Sequence, residues 1–137
     1  MSTGVILVVG GYGAFGQRIC RQLANSSSIT LIIAGRSRDK AETFASQLRT
    51  GGAKADVSAM VLDLSAPDEC VLPRGLAVLV NCAGPYDAGE LRLAQACLKQ
   101  GCHYLDLADG RDYVREFTRL DDLAQGAGKV AVTGCST

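Results

Sequence analysis

The sequence carries no excess of charge: Lys plus Arg and Asp plus Glu are both 14 in 137 residues. That balance excludes a generally basic face for nucleic acid or for an anionic membrane surface. Long apolar runs are also missing, and none approaches the roughly 20 residues that a membrane helix needs. The apolar stretch Val5–Val9 has no basic residue before it and is too short for a secretory signal. Neither a leader nor membrane insertion is expected. Histidine is nearly absent, with His103 alone. The six cysteines, Cys20, Cys70, Cys82, Cys97, Cys102 and Cys135, include no Cys-x-x-Cys pair. No metal site is therefore expected. Most of these cysteines stand in apolar surroundings, which predicts buried free thiols in a reducing cytoplasm.

Glycine is plentiful, with 16 residues dispersed at turns rather than gathered in a low-complexity tract. The run Val5-Ile6-Leu7-Val8-Val9 leads directly into Gly10-Gly11-Tyr12-Gly13-Ala14-Phe15-Gly16. Gly11-x-Gly13-x-x-Gly16 thus follows a strand pattern and opens a helix pattern, which is the context of a dinucleotide-binding turn. In that reading Gly11 makes the tight turn and Gly13 lets the backbone approach a pyrophosphate. Gly16 lets the helix pack close to the strand. The segment from Gly11 through Tyr12, Gly13, Ala14 and Phe15 to Gly16 is the candidate pyrophosphate site. Unpaired N–H groups at the positive end of a helix would hold the anion. A Gly-rich loop without a ligand is the plainer alternative.

Strand and helix patterns alternate along the whole chain. Val5–Val9 reads as the first strand. Phe15, Ile19 and Leu23, with Cys20 beside them, mark one face of a helix. Ile29–Ala34 is a near-continuous apolar run, as a parallel strand covered on both faces requires. Ala41, Phe44, Ala45 and Leu48 form the next helical face, with Ser37 as N-cap and Gly51-Gly52 as terminator. Val57–Leu62 is a third strand. Ser65 to Glu69 looks like a helix start that Pro73 and Gly75 cut short. Leu76–Val80 is a fourth strand, Glu90 to Gln100 a clear helix, and His103–Leu107 a fifth strand. Tyr113, Phe117, Leu120 and Ala124 mark a last helix closing near Gly126, and Val130–Thr133 is a sixth strand. The pattern predicts one α/β domain over residues 1–137. Its expected form is a three-layer, doubly wound Rossmann fold with a six-stranded parallel sheet in the order 3-2-1-4-5-6.

The end of the second strand selects the cofactor. A free ribose 2′-hydroxyl usually meets a carboxylate there, about 20 residues after the glycines. This chain has Ala34-Gly35-Arg36-Ser37-Arg38 instead. Arg36, helped by Ser37 and Arg38, suits a 2′-phosphate through a planar, charge-assisted fork. NADP is expected over NAD. Asp63, after the third strand, is placed either to bond an adenine amino group, with Leu64 against the base, or simply to cap the turn. Asn81-Cys82-Ala83-Gly84-Pro85-Tyr86 closes the fourth strand, at the carboxyl edge where open sheets bind ligands. Cys82, Ala83, Gly84 and Pro85 are candidates for the nicotinamide side, and Tyr86 for covering the ring or facing substrate. Cys82 has no base near it in sequence and reads as a packed residue rather than a nucleophile. His103 and Asp106 face opposite ways along a strand, whereas Tyr104 and Asp106 share a face and suggest a structural role. The proton relay Tyr-x-x-x-Lys is missing: Glu90, Ala108 and Phe117 follow Tyr86, Tyr104 and Tyr113 at that spacing. No catalytic acid is identified.

The turn G-G-Y-G-x-F-G, A-G-R at the second strand, N-C-A-G-P-Y at the fourth and A-C-x-x-x-G-C-H-Y-x-D at the fifth resemble the saccharopine dehydrogenase-like oxidoreductases. The resemblance runs from about Val5 to Gly134. It implies NADP(H)-linked hydride transfer to an imine or carbonyl, with a further domain for substrate and dimerisation. On that basis the chain is expected to be an excised N-terminal part of a longer two-domain enzyme, inactive alone. A dinucleotide-sensing regulatory domain without turnover is the competing reading, and an interaction-only domain a third.

Overall fold

The computed structural model describes residues 4–63, 72–84, 86 and 91–135. Its apolar runs build one six-stranded, all-parallel sheet: β1 (Gly4–Val9), β2 (Ile29–Gly35), β3 (Asp56–Val61), β4 (Leu76–Asn81), β5 (His103–Asp106) and β6 (Ala131–Val132). The spatial order is β3-β2-β1-β4-β5-β6, the doubly wound arrangement that the βα alternation implies. β1 lies between β2 and β4, so both its edges are paired, and Leu7, Val8 and Val9 are buried.

Side chains alternate between the two faces of a strand, and the core divides accordingly. Leu7 and Val9 face one cluster, with Ala34, Leu79, Leu98, Tyr104, Phe117 and Leu120. Val8 faces the other, with Cys20, Leu31, Ile33, Ala41 and Phe44. The first cluster is covered by α3 (Arg92–Gln100), α4 (Arg111–Glu116) and α5 (Asp121–Ala127). The second is covered by α1 (Ala14–Leu23) and α2 (Arg38–Thr50). Each fully buried Leu or Val side chain contributes about 1.5–3 kcal/mol relative to exposure. The three layers hold the strand ends in a fixed row, and the candidate site lies along that row.

The helix signals act as their chemistry requires. The Ser37 Oγ accepts from the Lys40 N–H at 3.2 Å and caps α2. Gly101 stops α3 in the left-handed conformation, φ +88°. The expected helix start at Ser65–Glu69 lies outside the described residues, as do Glu90 and Cys70. The other five cysteines are free thiols.

Two expectations need correction. Phe15 does not share the buried face of α1; it is 66 % exposed. The buried side of that helix holds Gly16 and Cys20. Phe15 sits one position before Gly16, on the exposed side of the first turn. The last helix is not continuous. α4 passes into a 3-10 turn at Phe117–Leu120 before α5 begins. A 3-10 turn aligns residues three apart, so Phe117 and Leu120 both reach the core. The helix closes near Gly126 as expected, its last residue being Ala127 and its left-handed C-cap Gly128, φ +66°.

Candidate functional site

The Gly-rich turn leaves β1 through Gly10, whose φ is +74°. Gly10 supplies the left-handed residue of the tight turn, and Gly11, which has no positive φ, follows it within the turn. Gly10 and Gly11 donate their N–H groups to the Ala34 carbonyl at 2.8 and 3.3 Å, which ties the turn to β2. A Cβ on Gly11 would lie 2.9 Å from Ile33 Cγ2, so Gly11 serves close packing. A Cβ on Gly16 would strike the Gly10 carbonyl oxygen and approach Gly11 Cα to 2.8 Å. Gly16 thus permits the contact between α1 and the turn that its place in the motif requires. Gly13 differs. It is exposed and caps α1 without a side chain, and an added Cβ would meet only the Gly10 oxygen at 3.3 Å. Its other side is open space over the first N–H groups of α1. Such a cradle fits an anionic diphosphate, because those N–H groups have no partner within the helix.

At the end of β2, Arg36 and Arg38 are exposed on either side of Ser37. Neither forms a salt bridge among the described residues. The capping bond leaves the Ser37 hydroxyl its own hydrogen to donate. Tyr12 reaches this loop from the Gly-rich turn, and its phenol oxygen accepts from the Ser37 N–H at 3.1 Å. Asp63 stands exposed just beyond β3. Leu64 lies outside the described residues.

The end of β4 closes against the turn. Cys82 donates its N–H to the Val9 carbonyl at 2.8 Å. A Cβ on Gly10 would lie 3.0 Å from the Ala83 nitrogen. The buried Asn81 bends the chain here, its Oδ1 accepting from the Ala83 N–H at 3.0 Å. Burial pushes the Cys82 thiol up to about 11, so it stays protonated and a poor nucleophile near neutral pH. Ala83 and Gly84 line the mouth, while Pro85 lies outside the described residues. Tyr86 turns inward: its O–H donates to the Asn81 carbonyl at 2.6 Å, and its ring packs on Tyr113 at 5.5 Å.

Behind this mouth lies a buried polar lock. Asp106 is fully buried at the end of β5. Its Oδ2 accepts from the Tyr104 and Tyr113 phenols, both at 2.9 Å. Its Oδ1 accepts from the Thr133 hydroxyl at 2.6 Å, the Ala108 N–H at 3.1 Å and the Gly134 N–H at 3.2 Å. Asn81 Nδ2 donates to the Tyr104 phenol oxygen at 3.2 Å. Burial raises the pKa of Tyr86, Tyr104 and Tyr113, so all three remain neutral donors. Tyr104 and Asp106 share a face, as strand alternation requires, and His103 points elsewhere, its Nδ1 accepting from the Val130 N–H at 3.0 Å. Sequence reasoning missed Gly10, Asn81 and the polar part played by Tyr113 and Thr133. Gly10 was detectable from the doubled glycine directly after the strand. Asn81 and Thr133 carry no such signal, because Tyr104 and Asp106 come from distant segments, and Tyr113 meets Asp106 only through the turn from β5 into α4.

The arrangement brings the glycine turn, Arg36–Arg38 and Ala83–Gly84 to one edge of the sheet. Fold and edge together define a dinucleotide-binding Rossmann domain. The family model described as Saccharopine dehydrogenase NADP binding domain matches residues 6–132, and the chain belongs to that family. Its cofactor class is the nicotinamide dinucleotides. Among curated relatives, a probable mitochondrial saccharopine dehydrogenase-like oxidoreductase of Arabidopsis thaliana is 24 % identical over 95 % of this chain and 31 % of its own length. A saccharopine dehydrogenase-like oxidoreductase of Homo sapiens is 27 % identical over 75 % of this chain and 27 % of its own. The chain therefore spans under a third of these relatives. Apo saccharopine dehydrogenase (L-Glu forming) from Saccharomyces cerevisiae shares the fold, with a TM-score of 0.71 at 18 % identity over 96 % of this chain and 27 % of that one. Among the described residues no helix is long and apolar enough to cross a membrane, and no cluster of three or more potential metal ligands occurs.

Proposed function

We propose that the chain is the NADP(H)-binding domain of a saccharopine dehydrogenase-like oxidoreductase. The observation that carries the preference for NADP is the end of β2. Gly35 and the exposed Arg36 stand where a ribose-reading carboxylate is usual. Gly13 and the first N–H groups of α1 would hold the pyrophosphate, with the backbone of Tyr12, Ala14 and Phe15 around it and Gly11 and Gly16 shaping the cradle. Arg36, Ser37 and Arg38 would hold the 2′-phosphate. Asp63 and Leu64 suit the adenine side. Cys82, Ala83, Gly84 and Pro85 suit the nicotinamide side. The bound cofactor would supply hydride exchange with an imine or carbonyl carbon. The chain's own part is to fix the dinucleotide against the sheet edge.

Substrate binding belongs in this reading to a further domain, through which the full protein would also form a homodimer. Such an enzyme fits a reducing compartment, the cytoplasm, in keeping with the five free thiols. A dinucleotide-sensing regulatory domain is the second reading. It is favoured by one observation: the phenols of Tyr86, Tyr104 and Tyr113 are all engaged internally.

Calorimetry with NADPH and NADH tests the cofactor assignment. One charge-assisted contact is worth about 1.5–3 kcal/mol, so NADPH should bind roughly 10- to 150-fold more tightly. Equal or tighter binding of NADH overturns it.

A further inference from the structure

Tyr12 occupies the middle position of the glycine motif, yet its side chain serves a different part of the site. The end of its ring lies against Gly35, the last residue of β2. A Cβ built on Gly35 would collide with Cε1, Cζ and the hydroxyl of Tyr12. The same hydroxyl accepts the Ser37 N–H at 3.1 Å across 25 residues of sequence. The other end of Tyr12 is also held, since its carbonyl accepts from Gln17 Nε2 at 2.7 Å. Tyr12 is half-buried among residues of the second core cluster. It is therefore a fixed strap that runs from the Gly-rich turn to the Arg36–Arg38 loop.

Two consequences follow from this placement. A side chain at position 35 would have to displace the Tyr12 ring, so the strap in its present place disfavours a carboxylate at the strand end. The backbone between Arg36 and Arg38 is held at its centre, which limits where the two guanidinium groups can lie. Pre-ordering of that kind lowers the entropy lost when a ligand is gripped.

We infer that Tyr12 is a specificity-determining positioning residue: it disfavours a ribose-reading carboxylate at position 35 and sets the Arg36–Arg38 loop for a 2′-phosphate. The inference rests on the NADP reading above and adds to it a residue outside the arginine loop. NADH has no 2′-phosphate and does not engage that loop's charges. Loss of the strap should therefore weaken NADPH and spare NADH, which general damage to the turn would not do.

The test is calorimetry of the 137-residue chain and its Tyr12→Phe variant with NADPH and with NADH, after thermal melting has confirmed the fold. Phenylalanine keeps the ring against Gly35 and removes the acceptor of the Ser37 N–H. One neutral hydrogen bond corresponds to a loss of about 2- to 12-fold in NADPH affinity, with NADH affinity held within about twofold. Tyr12→Leu replaces it in the test if the phenylalanine variant melts early, and should lose at least as much NADPH affinity. An unchanged NADPH-to-NADH ratio in the variant overturns the assignment of Tyr12 while leaving the cofactor reading intact. A wild-type chain that shows no preference for NADPH overturns the cofactor reading, and this inference with it.

Discussion

Glycines of one motif do separate jobs, and substitution should separate them. Gly16→Ala places a methyl against the Gly10 carbonyl. The backbone cannot rotate away as a side-chain end can, so a loss of about 1–3 kcal/mol in stability is expected, read as a lower urea midpoint. Gly13→Val puts its Cβ 3.3 Å from one oxygen and otherwise in open space. It should fold normally, as circular dichroism would show, and lose dinucleotide binding because its branches fill the cradle. Normal NADPH binding by a folded Gly13→Val chain would place the phosphate site elsewhere. The motif spacing made Gly13 and Gly16 readable in the sequence. It did not single out Gly10 as the left-handed residue, because φ depends on where β1 stops. Phe15 misled for a related reason. Helical periodicity gives a face but not what lies opposite its first turn.

Among the elements, β4 and β5 combine hydrophobic packing with one polar centre. Asp106 joins its own strand to α4 through Tyr113 and to the segment after β6 through Thr133 and Gly134. Asn81 links the end of β4 to the same centre through Tyr104. A buried carboxylate with five donors is stable only while the donors remain. Tyr113→Phe should cost about 1.5–3 kcal/mol, the range for a hydrogen bond to a charged group. Asp106→Asn should cost more, since an amide turns N–H groups toward donors that need an acceptor. Urea unfolding of both variants checks the order, and equal or negligible losses would refute the lock. The strands themselves were readable from their apolar runs to within a residue at each end. The shared face of Tyr104 and Asp106 was readable from strand alternation. The lock was not, because Asn81 and Thr133 reach the Tyr104–Asp106 centre only through the parallel order β4-β5-β6, and Tyr113 only through the turn from β5 into α4. The break between α4 and α5 was hidden too, because Phe117 and Leu120 satisfy a helical and a 3-10 pattern equally well.

At the scale of the molecule, the sheet order followed from βα alternation and right-handed crossovers, which leave few other arrangements. In the proposed reading the edge of that sheet supplies one wall of an active site. In that reading its glycine turn and arginine loop address the cofactor, whereas the polar groups near Ala83 and Gly84 point inward. Tyr86 donates to Asn81, Tyr104 and Tyr113 donate to Asp106, and burial holds all three phenols protonated. None of them is set to give a proton to a substrate at the mouth. Hydride transfer also needs the accepting carbon held close to the nicotinamide, and misplacement by about 1 Å can cost 10²-fold. The 137-residue chain alone should therefore bind NADPH without oxidising it. The measurement is loss of nicotinamide absorbance with an oxo acid and an amino acid present. It compares this chain with one that continues past Thr137 into the proposed substrate domain. Turnover confined to the longer chain supports the enzyme reading over the sensor. Turnover by the short chain would mean that the residues around Tyr86, Tyr104 and Asp106 form a working site by themselves, and the division of labour between two domains would have to be given up.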